Sequence, residues 1–141
     1  MCDLYNFCLF VLNDKLLKRS GCDYWDKLKL YEHDCYEDFI KTLGKDDVIY
    51  YVTRYGQHHI EDIKKPSKNQ NIYLMFGRES IGIPKEILKK NINHTIRIQS
   101  SKNVRSLNLS NCVAICAYEA MKLLDFEGLE QSEPHKIDYL F

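Results

Sequence analysis

Apolar residues fall in short continuous runs separated by stretches with helical spacing, an alternation that predicts strands and helices in turn. Phe7–Val11 is an apolar run of strand length. Asn13, a helix-capping residue type, follows it, and Leu12, Leu16 and Leu17 give a helix through Lys18 an inner face, with Gly21 marking its end. Leu28–His33 alternates as an edge or half-buried strand does. Asp34, followed three residues later by Glu37, reads as a variant capping box, and Phe39, Ile40 and Leu43 form the stripe of a helix that Gly44 ends. Val48–Val52 is a continuous β-branched and aromatic run, expected of a strand buried on both faces, and Ile72–Phe76 is a second buried strand.

Residues 54–70 are polar and contain Pro66, so they read as a long connection with room for one short element. Pro84 is placed to open a helix through Lys90 from its first position, and Thr95–Ile98 is a third short strand. From Leu107 to Leu124, residues Leu109, Val113, Cys116, Ala117, Ala120 and Leu124 recur at helical spacing. The tail from Asp125 is charged, carries Pro134, and is expected to pack loosely through Tyr139, Leu140 and Phe141. No repeat and no linker divides the chain. The fold class predicted is α/β, a mostly parallel sheet flanked by helices in a single domain over residues 1–141.

Composition narrows the functional classes. The chain has 141 residues, 45% of them hydrophobic, which suits one domain with a real core. Twenty basic residues balance twenty acidic ones, so bulk attraction to nucleic acid is no argument here. Local clusters exist at Lys15, Lys18 and Arg19, at Lys64, Lys65 and Lys68, and at Lys102 with Arg105. Such clusters are either solvated faces or an RNA-facing patch, and they support an RNA reading only alongside sequence motifs. Cys112 and Cys116 lie one turn apart in an apolar helix, where free cysteines behave as small hydrophobes. No Cys or His spacing suits zinc, so no metal is expected. His58-His59, being adjacent, is placed in a polar loop. Neither a signal-peptide pattern nor an apolar run of membrane length is present, so a cytoplasmic protein with no membrane partner is expected.

Parallel sheets bind ligands beyond the carboxyl ends of their strands, which directs attention to the loops after Val52, Phe76 and Ile98. A phosphate-bearing nucleotide wants a glycine-rich loop, and neither G-x-G-x-x-G nor a Walker-type loop occurs. S-adenosylmethionine carries no phosphate. It needs an apolar slot, backbone hydrogen bonds to the adenine edge and surroundings that tolerate a sulfonium. Gly77, without a Cβ, lets main chain approach closely. Gly77-x-x-x-x-Gly82-x-Pro84 is also common strand-to-helix punctuation, and Ser106, Asn108, Ser110 and Asn111 are all cap-forming residue types. Capping uses only one or two of those four, and with Arg105 before them the cluster is more simply a ligand site.

Tyr73-Leu-Met-Phe-Gly-Arg-Glu-Ser-Ile-Gly-Ile-Pro84 and Arg105-Ser-Leu-Asn-Leu-Ser-Asn-Cys-Val-Ala-Ile-Cys-Ala-Tyr-Glu119, in this order, resemble two motifs of the SPOUT class of RNA methyltransferases. The bacterial TrmL-type tRNA wobble-position ribose 2′-O-methyltransferases are the most similar, over roughly residues 9–124. Asp14–Gly21 and Asp23-Tyr24-Trp25 match as well, Trp25 serving either as a core anchor or in recognition. The resemblance implies a C-terminal trefoil knot, S-adenosylmethionine as cofactor, and cofactor contacts at Val52, Gly77, Ile98, Ser106 and Leu107. It also implies methylation of the 2′-hydroxyl at the first anticodon position, cytidine or modified uridine, of a leucine-type tRNA, by a homodimer. Arg105 would contact the RNA phosphate or stabilise charge at the ribose, and Ser106 and Asn108 would orient the hydroxyl or its base. Tyr118 would reach the site from the long helix, or else be a core tyrosine.

Two departures from the pattern stand out. Ile98-Gln99 replaces the usual Ile-Pro, and the opening strand with its Asn-x-Gly-x-x-x-Arg motif has no counterpart. A chain short of that first segment is expected to keep cofactor affinity, methylate poorly and dimerise weakly. The alternative is a non-catalytic RNA- or cofactor-binding homologue that has lost the first motif. An ordinary α/β nucleotide-binding enzyme is disfavoured by the missing phosphate loop.

Overall fold

The structure, a computed structural model, describes residues 2–5, 29–103 and 107–132. The predicted strand Phe7–Val11, the helix after Asn13, Trp25 and the tail's Tyr139, Leu140 and Phe141 lie outside the described residues. The chain forms two units, Met1–Asp47 and Val48–Phe141.

In the first unit, β1 (Cys2–Tyr5) pairs in parallel with β2 (Leu30–His33), Cys2 opposite Leu30 and Tyr5 opposite His33. β1 was not expected, because Asp3 interrupts its short apolar pattern. α1 spans Tyr36–Thr42 and is capped at Cys35 rather than Asp34. Cys35 takes the extended backbone of a cap, and its thiol donates to Asp38 Oδ2 at 3.3 Å. Lys41 bonds the other oxygen of Asp38 at 2.7 Å and, as the leading cause, holds that carboxyl below its ordinary pKa. Phe39 is the buried residue of the helix and meets the His33 ring edge-on at 5.5 Å.

The second unit holds a four-stranded parallel sheet in the order β4-β6-β3-β5, with β3 at Val48–Val52, β4 at His58–His59, β5 at Ile72–Phe76 and β6 at Thr95–Arg97. Because side chains alternate across a strand, Tyr50, Val52, Ile72, Leu74, Phe76, Ile96 and Ile98 share one face. There they pack with Ile60, Ile63, Cys116 and Leu123. On the other face Ile49, Tyr51 and Thr95 are buried. β3 is therefore covered on both faces, fully on one and partly on the other. β5 differs from expectation: among the described residues it pairs only with β3, and all five of its residues are half-buried. His58 and His59 also differ, forming an edge strand opposite Ile96 and Arg97 with both side chains exposed.

α2 runs Lys85–Lys90, with Pro84 outside it as the cap. The Pro84 carbonyl accepts from the Ile87 and Leu88 N–H groups, so its lack of an N–H costs nothing. α3 spans Leu109–Leu123 and presents Leu109, Cys112, Cys116, Ala120 and Leu123 inward. Val113 and Leu124, expected on the inner face, are 41% and 37% exposed, and Ala117 is exposed too. The helix is apolar on two sides, so helical spacing alone supports either register.

Candidate functional site

Val52 lies opposite both Phe76 and Ile96, so β5, β3 and β6 end together. The segments starting at Thr53, Gly77 and Ile98 therefore leave the sheet side by side, where a parallel sheet places its ligand site.

The first segment is held into the sheet. Thr53 N–H donates to the Ile96 carbonyl at 2.9 Å, and Gly56 N–H closes a turn onto Thr53 O at 3.1 Å. A Cβ at Gly56 would fall 2.3 Å from the Ile96 carbonyl carbon, so the turn lies directly against β6. Thr95, 1% exposed, joins the pieces: its hydroxyl accepts from Gln57 N–H at 3.1 Å and donates to Ile92 O at 2.7 Å. Thr95→Val keeps the volume and removes both bonds. It is expected to lower stability by roughly 1–3 kcal/mol in urea unfolding, whereas Thr95→Ser stays close to the parent chain. Neither this hydroxyl nor Gln57 carried a sequence signal, since their contact joins residues 38 apart.

The second segment folds on itself. A Cβ at Gly77 would lie 2.1 Å from the Gly82 carbonyl carbon and 2.2 Å from Ile83 N. Gly82 N–H donates to Arg78 O at 2.8 Å, and Gly82 takes φ 73°, a left-handed conformation that glycine adopts freely. The close main-chain approach expected at Gly77 is thus made by its own loop, whose Ile83 is buried.

The third segment passes from Ile98 to α3. Arg105 and Ser106 lie outside the described residues. Leu107 is 36% exposed, and Asn108 is the N-cap of α3. Asn108 Oδ1 accepts from Ser110 N–H at 2.8 Å and from the Ser110 hydroxyl at 2.5 Å. Capping therefore engages the oxygen of this side chain and leaves its Nδ2 group to donate elsewhere. Tyr118 lies two residues from Cys116, about 200° around the helix. It is 62% exposed, with its ring 5.3 Å from that of Phe126, so it is not gathered with the strand-end residues.

Val52, Gly77 and Ile98 are each half-buried, and Leu107 is exposed. Aliphatic side chains with a glycine main chain are of the chemistry that suits an apolar ligand without phosphate. Burial pushes the Cys116 thiol up to about 12, which leaves it a neutral packing group rather than a nucleophile. Among the described residues no cluster of His, Cys, Asp and Glu could hold a metal, and no helix is long and apolar enough to cross a membrane. A separate cavity of about 590 Å³ lies along the sheet face and includes Tyr50, Lys64, Gln70 and His94, reaching back to Val48 and Ile72 at the strand starts.

Residues 4–118 match the family described as the SpoU rRNA Methylase family. A Listeria innocua protein provisionally named tRNA (cytidine(34)-2'-O)-methyltransferase is 41% identical over 127 residues, 89% of this chain and 73% of the relative. A structure described as giving insights into the 2-OH methylation of C/U34 on tRNA superposes with a TM-score of 0.77 at 32% identity, over 88% of this chain and 78% of the other. An AdoMet-bound rRNA methyltransferase from Sinorhizobium meliloti matches with a TM-score of 0.56 at 27% identity, over 69% of this chain and 36% of that one.

Proposed function

The chain belongs to the SpoU rRNA Methylase family, and on that premise we propose that it moves a methyl group from S-adenosylmethionine to the ribose 2′-hydroxyl of a tRNA wobble nucleotide. The observation that carries the proposal is the common ending of β5, β3 and β6, which gathers Val52, Gly77 and Ile98 at one edge. The substrate is cytidine or modified uridine at the first anticodon position of a leucine-type tRNA. Relatives named for cytidine 34 and a neighbour described for C/U34 support the nucleotide.

When bound, the cofactor supplies an activated methyl group on a good leaving group. The chain's tasks are then alignment and removal of the hydroxyl proton. Val52, Ile98 and Leu107 would supply apolar walls for the cofactor, and main chain at Gly77 would be available to its adenine edge. Asn108, whose capping bonds engage only Oδ1, would orient the ribose hydroxyl or its base through Nδ2. By resemblance, Arg105 and Ser106 would complete the site, the arginine contacting phosphate or stabilising the charge that develops at the ribose.

The test pairs calorimetry using S-adenosylhomocysteine, NAD and ATP with methylation of a tRNA carrying either ribose or 2′-deoxyribose at the wobble position. Binding of S-adenosylhomocysteine alone and ribose-dependent methylation are expected. Tight ATP binding without a response to S-adenosylhomocysteine would overturn the reading.

The proposal includes a cytoplasmic homodimer. Val113 and Tyr118 are exposed along α3, with Ala114 and Ala117 also exposed, giving a surface that allows close helix packing. Sedimentation over a concentration series is expected to show self-association, and a monomer throughout would count against it.

A further inference from the structure

Residues 53–57 form a hydrogen-bonded turn at the carboxyl end of β3, and it carries an exposed aromatic, Tyr55. Tyr55 is 53% exposed. Its ring is nevertheless held. The Tyr55 N–H donates to Thr53 Oγ1 at 3.3 Å, the Arg54 guanidinium lies over the ring at 4.7 Å from its centroid, and Arg54 also donates to the Tyr55 hydroxyl at 2.5 Å. Beneath the tip, Gly56 abuts the Ile96–Arg97 main chain, and Gln57 is tied to the buried Thr95 hydroxyl. Among the described residues no carboxylate forms an ion pair with Arg54.

A tyrosine that keeps about half of its surface exposed, yet is held at both backbone and ring, has given up conformational freedom while leaving a ring surface open. That is the state of a binding surface prepared in advance. Its position beside Val52 places it next to the proposed methylation site. The bases flanking a ribose in a single-stranded loop are unpaired and can be splayed out and stacked on aromatic side chains. An aromatic face accepts such a base, and a guanidinium beside it has further N–H groups to donate to the adjoining phosphate.

We propose that Tyr55 is a stacking platform for a base flanking the methylated nucleotide, with Arg54 bracing the ring and facing the phosphate. The inference rests on the tRNA reading above. It adds a specificity-determining contact in the turn after β3, separate from the residues assigned to the cofactor and to the reacting hydroxyl.

The experiment measures binding of a fluorescent anticodon stem-loop to the full chain and to its Tyr55→Ala and Tyr55→Phe variants. A second probe carries 2-aminopurine beside the wobble position. Because stacking on one aromatic ring contributes strongly per base, Tyr55→Ala is expected to raise Kd roughly 5- to 100-fold. Tyr55→Phe, which keeps the ring, should stay within about twofold. Quenching of 2-aminopurine should vanish in the alanine variant and persist in the phenylalanine variant, with unchanged S-adenosylhomocysteine affinity in both showing that the site is intact. Stem-loop binding by Tyr55→Ala equal to that of the parent overturns the platform and leaves the tRNA reading standing. Equal weakening by both variants also overturns it, since the hydroxyl would then be responsible. A parent chain that binds no stem-loop overturns both.

Discussion

Gly77→Val is expected to weaken S-adenosylhomocysteine binding strongly, as read by calorimetry. The physical reason lies in the loop. The Cβ position at Gly77 is 2.1 Å from the Gly82 carbonyl carbon and 2.2 Å from Ile83 N, both main-chain atoms. Carbon atoms in contact sit at about 3.5–4.0 Å, so the loop must open before any side chain fits. Opening it breaks the Gly82-to-Arg78 hydrogen bond and draws Ile83 out of its 5% exposure. Overpacking of this kind costs roughly 1–3 kcal/mol or more, and affinity is expected to fall at least about 10- to 100-fold. Alanine at the same position is the sharper test. The clash begins at Cβ, so Gly77→Ala should be nearly as damaging as valine. If only a bound ligand used the space, alanine would be mild and valine severe, and that outcome would reject the self-packed loop.

Truncating Ile96 to alanine should produce the largest loss of stability in the second unit. Ile96 is 1% exposed and sits in the cluster with Ile60, Ile63 and Cys116. Its strand also carries the Thr53 turn through the Ile96 carbonyl. Removing a buried isoleucine side chain costs roughly 2–5 kcal/mol, a large part of the about 5–15 kcal/mol that holds a typical domain together. Urea denaturation should show a lower midpoint with little change in slope. Val113→Ala is the comparison: at 41% exposure it is expected to stay within about 0.5 kcal/mol at concentrations where the chain is monomeric. A midpoint for Ile96→Ala equal to that of Val113→Ala would show that the cluster is not the core of this unit.

Local features were read with different success. Val48–Val52 and Ile72–Phe76 were legible to the residue, because continuous β-branched and aromatic runs leave few alternatives. Thr95–Arg97 and the long helix were legible within one or two residues. The cap of α1 was misplaced by one residue, since both Asp34 and Cys35 have acids near their N3 positions and only the backbone decides which turns first. His58-His59 did not read as a strand because two polar residues have no periodicity to show. They pair with β6 because of where Ile96 lies.

From its order of residues alone, the chain determined an α/β alternation, the three strand-end segments, and the lack of a glycine-rich phosphate-binding motif. Those properties follow from local sterics, periodicity and the presence or absence of particular side chains. The resemblance to SPOUT methyltransferases was carried by the same local words. Tertiary structure decided the rest: that β3 lies between β6 and β5, that the room at Gly77 is filled by Gly82 and Ile83, that α3 turns Cys116 inward and Val113 outward, and that Tyr55 stands exposed on a turn held by Thr95. A pattern along one chain states which faces are apolar, but not which other segment will cover them. That choice is made only when distant residues compete for the same buried space.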